Sequence, residues 1–216
     1  MLPLYVNVSD KKIVVFGGGT VAERKIRQIM DTRGTEGKPD LEVYSLEFTP
    51  WIEEQHENGE LKCIPCDLWR ADLGEHLKTA FFVLVCTNDE HLNTRILRDA
   101  AEFDVLVNYR YEGDVFMSSV INKCGFLISI STDGKGPAMA KYMREKISQF
   151  LDAKEEKMLL IQSRLRDYLK EIEIEETKRH EILNSVLHDP DCWAALDAPL
   201  EIAEKVIRGI IGDKYE

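Results

Sequence analysis

Apolar residues fall into short runs separated by stretches of helical spacing. KKIVVF (11–16) is a continuous apolar run bounded by glycine, as expected of a strand covered on both faces. From Thr20 to Met30 the period changes, and Ala22, Ile26, Ile29 and Met30 share one helical face. A polar turn, TRGTEGKPD (32–40), leads to a second strand, LEVYSL (41–46). Thr49-Pro50 then opens a helix, with proline in its first turn. LKCIPC is a third strand, with helical spacing after it through Leu77, and FFVLVCT (81–87) is a fully apolar fourth. Asn88 or Asp89 can cap the helix carrying Leu92, Ile96 and Ala100, and DVLVNYR (104–110) is a fifth strand. This alternation predicts a parallel sheet with helices on both faces.

The pattern then changes. VFMSSVI (115–121) and FLISIST (126–132) are separated only by NKCG, which suits a hairpin and not a crossover. Pro137 opens a helix with Met139, Met143, Ile147 and Phe150 on one side. From about Leu151 the chain is helical and highly charged, with a stripe of Ile161, Leu165, Tyr168, Leu169 and Ile172. HDPD (188–191) breaks it, and Pro199 starts a last helix with Ala203, Val206, Ile207, Ile210 and Ile211 inward. The expected fold class is α/β. A Rossmann-type domain spans 1–112, a small β-containing segment 113–146, and a helical C-terminal domain 147–216.

Composition narrows the partners. The net charge is -11, and such a surface repels nucleic acid and anionic membrane. No apolar stretch approaches the ~20 residues of a membrane span. MLPLYVNVSDKK lacks the basic and small-residue marks of a signal peptide and reads as a strand, so a cytoplasmic location is expected. The five cysteines show no framework spacing. Cys63 and Cys66 form one C-x-x-C, but no second pair or H-x-x-x-H completes a zinc site, and the pair ends a strand where a redox pair opens a helix. The five histidines show no ligand spacing either, so no metal site is expected.

The candidate chemistry sits where the first strand ends. IVVFGGGTVAERK contains Gly17-x-Gly19-x-x-Ala22, placed between a strand and a helix as a dinucleotide fingerprint requires. The first glycine allows the tight turn, and the second lets backbone approach a pyrophosphate. The small third residue lets helix pack on strand. The amides opening the helix then face the phosphates. Glu47, at the end of the second strand, is the candidate for the ribose hydroxyls. A carboxylate there repels a 2′-phosphate and favours NAD over NADP.

PLYVNV, VVFGGGTVAERK, CTNDEHLN, LVN and ISIST-DGKGPAMAKYMREKI occur in that order over residues 1 to about 150. Together they resemble the precorrin-2 dehydrogenases of sirohaem synthesis, both stand-alone enzymes and the N-terminal part of sirohaem synthases. The resemblance implies oxidation of precorrin-2 to sirohydrochlorin with hydride passed to NAD. It implies a homodimer joined through 113–146, and in some members insertion of ferrous iron. Carried over by position, the NAD contacts are Gly17, Gly19, Thr20, Val21, Leu46 and Glu47, with Thr87 and Asn88 beside the nicotinamide.

One position departs from the family pattern VN-x-x-D. Three residues after Asn108 stands Tyr111, with Glu112 and Asp114 as the nearest carboxylates. Glu112 or Asp114 substitutes, Tyr111 serves, or no strong base is needed because the pyrrole nitrogens release protons themselves. The substrate carries eight carboxylates, and residues 109–146 hold six basic side chains against four acidic ones in an acidic chain. Arg110, Ser131, Thr132 and Lys135 are the candidates for binding it. Arg24 and Lys25, one turn into the first helix, could reach a phosphate or a neighbouring loop. Two other readings stand beside this one, a bifunctional dehydrogenase and ferrochelatase, and a non-catalytic NAD-sensing module.

Overall fold

The computed structural model describes residues 2–33, 37–110, 112–172 and 174–215. They form two compact units, 1–120 with 129–137 and 121–128 with 138–216.

In the first unit five parallel strands lie in the order β3-β2-β1-β4-β5: β1 (Lys12–Phe16), β2 (Asp40–Ser45), β3 (Lys62–Pro65), β4 (Phe82–Val85) and β5 (Leu106–Asn108). The connections are α1 (Thr20–Thr32), α2 (Pro50–Glu57), α3 (Gly74–Leu77) and α4 (Glu90–Ala100). β1 pairs with β2 on one side and β4 on the other, so strand order reverses beside it. In open α/β sheets ligands bind at the carboxyl ends of the strands at such a reversal.

Each face of the sheet buries one layer. Val14, Phe16, Val83 and Val85 pack with Leu73, Leu77, Leu92 and Ile96, the side of α3 and α4. Ile13, Val15, Val43 and Leu84 pack with Ala22, Ile26, Ile29 and Ile52, the side of α1 and α2. Ile26 is fully buried, and its truncation to alanine would cost about 2–5 kcal/mol. One charge sits at the edge of the first layer. Burial alone would raise the Glu42 pKa, but Lys12, the Tyr44 hydroxyl and Lys62 hold it below the ordinary carboxylate range.

The apolar runs end later or earlier than their composition suggests. PLYVNV is not a strand. It forms no ladder, and Leu2, Leu4, Tyr5 and Val6 are exposed. The helical stretch before Leu77 is only one turn, because residues 67–71 form turns held by three Arg95 hydrogen bonds to the Leu68, Trp69 and Ala71 carbonyls. The hairpin forms as β6 (Ser119–Lys123) and β7 (Phe126–Ile130), starting late because the Val115 amide donates to the Val107 carbonyl. Its two-residue turn, Cys124-Gly125, has positive φ at both positions, as a primed turn requires.

The second unit is built on α5 (Pro137–Phe150), α6 (Ala153–Glu171), α7 (Glu176–His188), α8 (Pro190–Ala195) and α9 (Leu200–Tyr215). Met158, Ile161, Leu165 and Leu169 of α6 meet Ile182, Val186, Cys192, Ala203, Ile207 and Ile211. Tyr168, Ile172 and Val206 of the expected stripes are exposed, as are Met139 and Phe150 of α5. Asp152 and Glu155 form a capping box at the start of α6.

Candidate functional site

The three glycines of the first turn do different work. Gly17 has φ +107°, and a Cβ there would lie 2.9 Å from the Cys86 carbonyl oxygen at the end of β4. Its amide donates to Tyr44 of β2 at 2.9 Å, so it closes the turn between two strands. At Gly18 a Cβ would overlap the Glu47 carbonyl, and the Gly18 carbonyl accepts from the Thr49 amide. Gly19 differs: a Cβ would meet nothing within 4 Å, and no side chain caps α1 there. Behind it Ala22 is fully buried. The turn therefore leaves open space at a helix N-terminus, which fits a phosphate-bearing ligand. Thr20, Val21, Leu46 and Glu47 are all exposed around it.

Glu23 braces this edge from below. Hydrogen bonds from Thr49 and Arg27 lower its pKa. Arg27 also stacks its guanidinium on Trp51 of α2 at 3.9 Å.

The loop after β4 is fixed by a clasp. The Thr87 hydroxyl donates to Asn93 Oδ1 at 2.6 Å, and Asn93 Nδ2 returns a bond to the Thr87 carbonyl at 3.1 Å. Asn93 is buried on the apolar face of α4. Asp89 caps α4, accepting from the His91 and Leu92 amides, and accepts from Trp69 Nε1 at 3.1 Å. The Leu92 amide, the Trp69 indole and the His91 amide hold its carboxyl below the ordinary range. Asn88 is exposed at the rim.

The turn after β5 folds back on its own strand. Asp114 Oδ2 accepts from the Val107 amide at 3.2 Å, and Glu112 and Gly113 amides donate to the Tyr109 carbonyl. Glu112 is exposed. Arg110 has φ +41° and an exposed ion pair with Glu90 at 3.0 Å. Tyr111 lies outside the described residues. At the other glycine-rich turn, Ser131 Oγ accepts from the Asp133 amide and Thr132 Oγ1 from the Gly136 amide, both at 3.1 Å. Lys135 is exposed.

Lys25 was legible in sequence only as a cation near the glycines. Its Nζ donates to Asn108 Oδ1 at 2.5 Å, and Asn108, buried at the end of β5, donates through Nδ2 to the Val115 carbonyl at 2.7 Å. Cys86 is beside it. Burial pushes that thiol's pKa up, against the pull of Lys25 and Arg24. The C-x-x-C pair is split across the sheet, with Cys63 packing against the α1 layer and Cys66 against the α4 layer. Burial pushes the Cys63 thiol up to about 11. Among the described residues no group of three His, Cys, Asp or Glu is arranged to hold a metal ion, and no helix is long and apolar enough to cross a membrane.

Residues 4–116, the whole sheet and the glycine turn with it, match the family model described as "Putative NAD(P)-binding". The chain thus carries a nicotinamide-dinucleotide-binding domain. It is 35 % identical over 214 residues to the precorrin-2 dehydrogenase of Methanosarcina barkeri, covering 97 % of this chain and 93 % of that one. The chain belongs to the precorrin-2 dehydrogenase family. The Bacillus subtilis precorrin-2 dehydrogenase is 28 % identical over 70 % of this chain and 90 % of that one. A sirohaem synthase of Psychromonas ingrahamii is also 28 % identical, but the chain spans only 35 % of its length. Among solved structures, SirC, a precorrin-2 dehydrogenase, superposes with TM-score 0.76 over 100 % of both chains at 22 % identity, and so shares the fold. In this family context two of the motifs quoted from the sequence, VVFGGGTVAERK and CTNDEHLN, fall on the loops flanking the sheet reversal, after β1 and after β4.

Proposed function

We propose that the protein oxidises precorrin-2 to sirohydrochlorin with NAD, the substrate losing one hydride and one proton. The observation that carries this reading is the identity to the Methanosarcina barkeri enzyme, 35 % through nearly the whole of both chains. The cradle at Gly19 supports it, because its open side fits a dinucleotide and nothing in the turn fills it. The cofactor, when bound, supplies the hydride acceptor.

In this reading Gly17 and Gly19 shape the turn, and Thr20, Val21 and Leu46 border the dinucleotide. Glu47 accepts from the ribose hydroxyls and disfavours a 2′-phosphate, so NAD is used in preference to NADP. Thr87 and Asn88 border the nicotinamide, on a loop held still by the Thr87–Asn93 clasp. Orientation of this kind is the main demand of hydride transfer. Glu112 is assigned the departing proton ahead of Asp114, whose carboxylate already accepts from the Val107 amide, and ahead of Tyr111. Arg110 and Lys135 draw in the substrate carboxylates, while Ser131 and Thr132 shape the turn that presents Lys135. The reading includes a homodimer joined through 113–146, three functional parts at 1–112, 113–146 and 147–216, and a cytoplasmic location.

The test is anaerobic turnover of precorrin-2 with NAD and with NADP, followed by the absorbance of reduced cofactor and of sirohydrochlorin. NAD-dependent product, with kcat/KM at least tenfold above that with NADP, is expected. Tight cofactor binding without oxidation would overturn the reading and leave a nucleotide sensor. Iron-dependent loss of sirohydrochlorin in the same cuvette would add the chelatase activity.

A further inference from the structure

One side chain of the glycine-turn helix reaches across two strands. Lys25 stands on α1 a turn and a half beyond Gly19, yet its ammonium ends on β5, against Asn108 at 2.5 Å. Asn108 is buried and cannot turn freely. With Oδ1 committed to a cation, its amide must present Nδ2 elsewhere, and it does so to the Val115 carbonyl at 2.7 Å. A second residue of the same helix face, Gln28, donates to the Ser118 carbonyl at 3.0 Å. Thus α1 holds the chain leaving β5 at both ends of the turn that carries Arg110, Glu112 and Asp114. That turn is tightly drawn. A Cβ on Gly113 would collide with Val107, and Arg110 is kept at positive φ. Such strain persists only where neighbours fix it.

We propose that Lys25 is a positioning residue, which through Asn108 sets the turn after β5 against the dinucleotide turn and thereby sets the rate of hydride transfer. The kinetic half rests on the function proposed above, but the positioning half does not. A charge-assisted bond to a buried amide is stronger than a neutral one, and removing one partner leaves the other's polar atom unsatisfied. Lysine has a second advantage here: its stem can lie along the apolar layer while its head reaches the strand ends.

The test uses the full chain with Lys25→Met, Asn108→Asp and Lys25→Arg. Asn108→Asp keeps an acceptor for Lys25 but loses the donor to Val115, so the relay predicts that it fails like Lys25→Met although the cation stays paired. Hydrogen exchange is read on cofactor-free protein. Peptides covering 106–116 should exchange at least tenfold faster in Lys25→Met and Asn108→Asp, with those covering 12–22 unchanged. In turnover, kcat should fall tenfold or more while the Kd for NADH, read by its fluorescence, moves less than threefold, and Lys25→Arg should recover part of kcat. The double variant should be no slower than either single one. Unchanged exchange at 106–116 would overturn the positioning. A loss that appears in NADH affinity and not in kcat would overturn the kinetic role, making Lys25 a cofactor ligand. If Lys25→Met does not fold, Asn108→Asp alone decides by the same two readings. An unsubstituted protein that does not oxidise precorrin-2 overturns the reaction and the kinetic role together, while exchange still decides the positioning.

Discussion

Two glycine-rich turns lead into helices in the first unit's residues, and they are finished in opposite ways. In Gly17-Gly18-Gly19 the polar groups nearest the helix are left uncapped, and the position facing outward has nothing within 4 Å of where a side chain would begin. In Ser131-Thr132-Asp133-Gly134-Lys135-Gly136 the two hydroxyls turn inward, and each accepts a backbone amide of its own turn. In sequence both stretches point to anion binding, the first to a pyrophosphate and the second, through Ser131, Thr132 and Lys135, to the substrate's carboxylates. Geometry separates them. A turn whose donors already have partners offers a ligand its surface charge, here Lys135, while an open turn offers its backbone. The first is built to be completed by something else and the second completes itself.

The comparison breaks first at Gly17. Alanine there meets two penalties, a positive φ that costs about 1–2 kcal/mol and a Cβ pressed to 2.9 Å against the rigid Cys86 carbonyl, worth about 1–3 kcal/mol as overpacking. Gly17→Ala should therefore lose about 2–5 kcal/mol of stability by denaturant unfolding, and cofactor affinity with it. An unfolding midpoint equal to the parent's would mean that the β1–β4 junction yields easily and that the turn is not braced by the sheet.

Gly19 should show the reverse. Its backbone lies in the extended region, φ -85° and ψ -171°, which any residue adopts. Serine is a better N-cap than glycine by a few tenths of a kcal/mol. Gly19→Ser should thus leave stability unchanged or slightly raised, yet increase the NADH Kd tenfold or more, because a side chain enters the open cradle and its hydroxyl takes a helix amide. Unaltered NADH binding in a fully folded Gly19→Ser protein would place the phosphates elsewhere.

How much of this was legible before the structure follows from what each residue answers to. The sheet and its helices were legible because Ile13–Phe16 and Phe82–Val85 are apolar on both faces, a demand that only a doubly covered parallel sheet makes. The split of Cys63 from Cys66 could also have been read, since an odd spacing in a strand puts side chains on opposite faces. The N-terminal PLYVNV misled, because alternation gives a strand only where a neighbour completes the ladder. Lys25, Asn93 and Asn108 were opaque for a different reason. Each acts through one particular partner, Lys25 and Asn108 through each other across 83 positions and Asn93 through Thr87 six residues before it, and local periodicity carries no sign of that. Asn93 left one trace, as a polar residue on the apolar face of an amphipathic helix.

The smallest expected effect tests the closed turn. Thr132→Val keeps the shape and removes the hydroxyl that accepts from the Gly136 amide. The loss of one such bond is worth about 0.5–1.5 kcal/mol, so unfolding should register a drop of that size. If the hydroxyl serves the turn alone, the KM for precorrin-2 stays within threefold of the parent. Removing the Lys135 charge by Lys135→Gln should raise that KM several-fold with no change in stability, and should do so most at low ionic strength, where an exposed cation acts at longest range. A rise in KM for Thr132→Val equal to that for Lys135→Gln would show that the hydroxyl leaves its own turn to meet the substrate, and the two glycine turns would then differ in their resting state and not in their use.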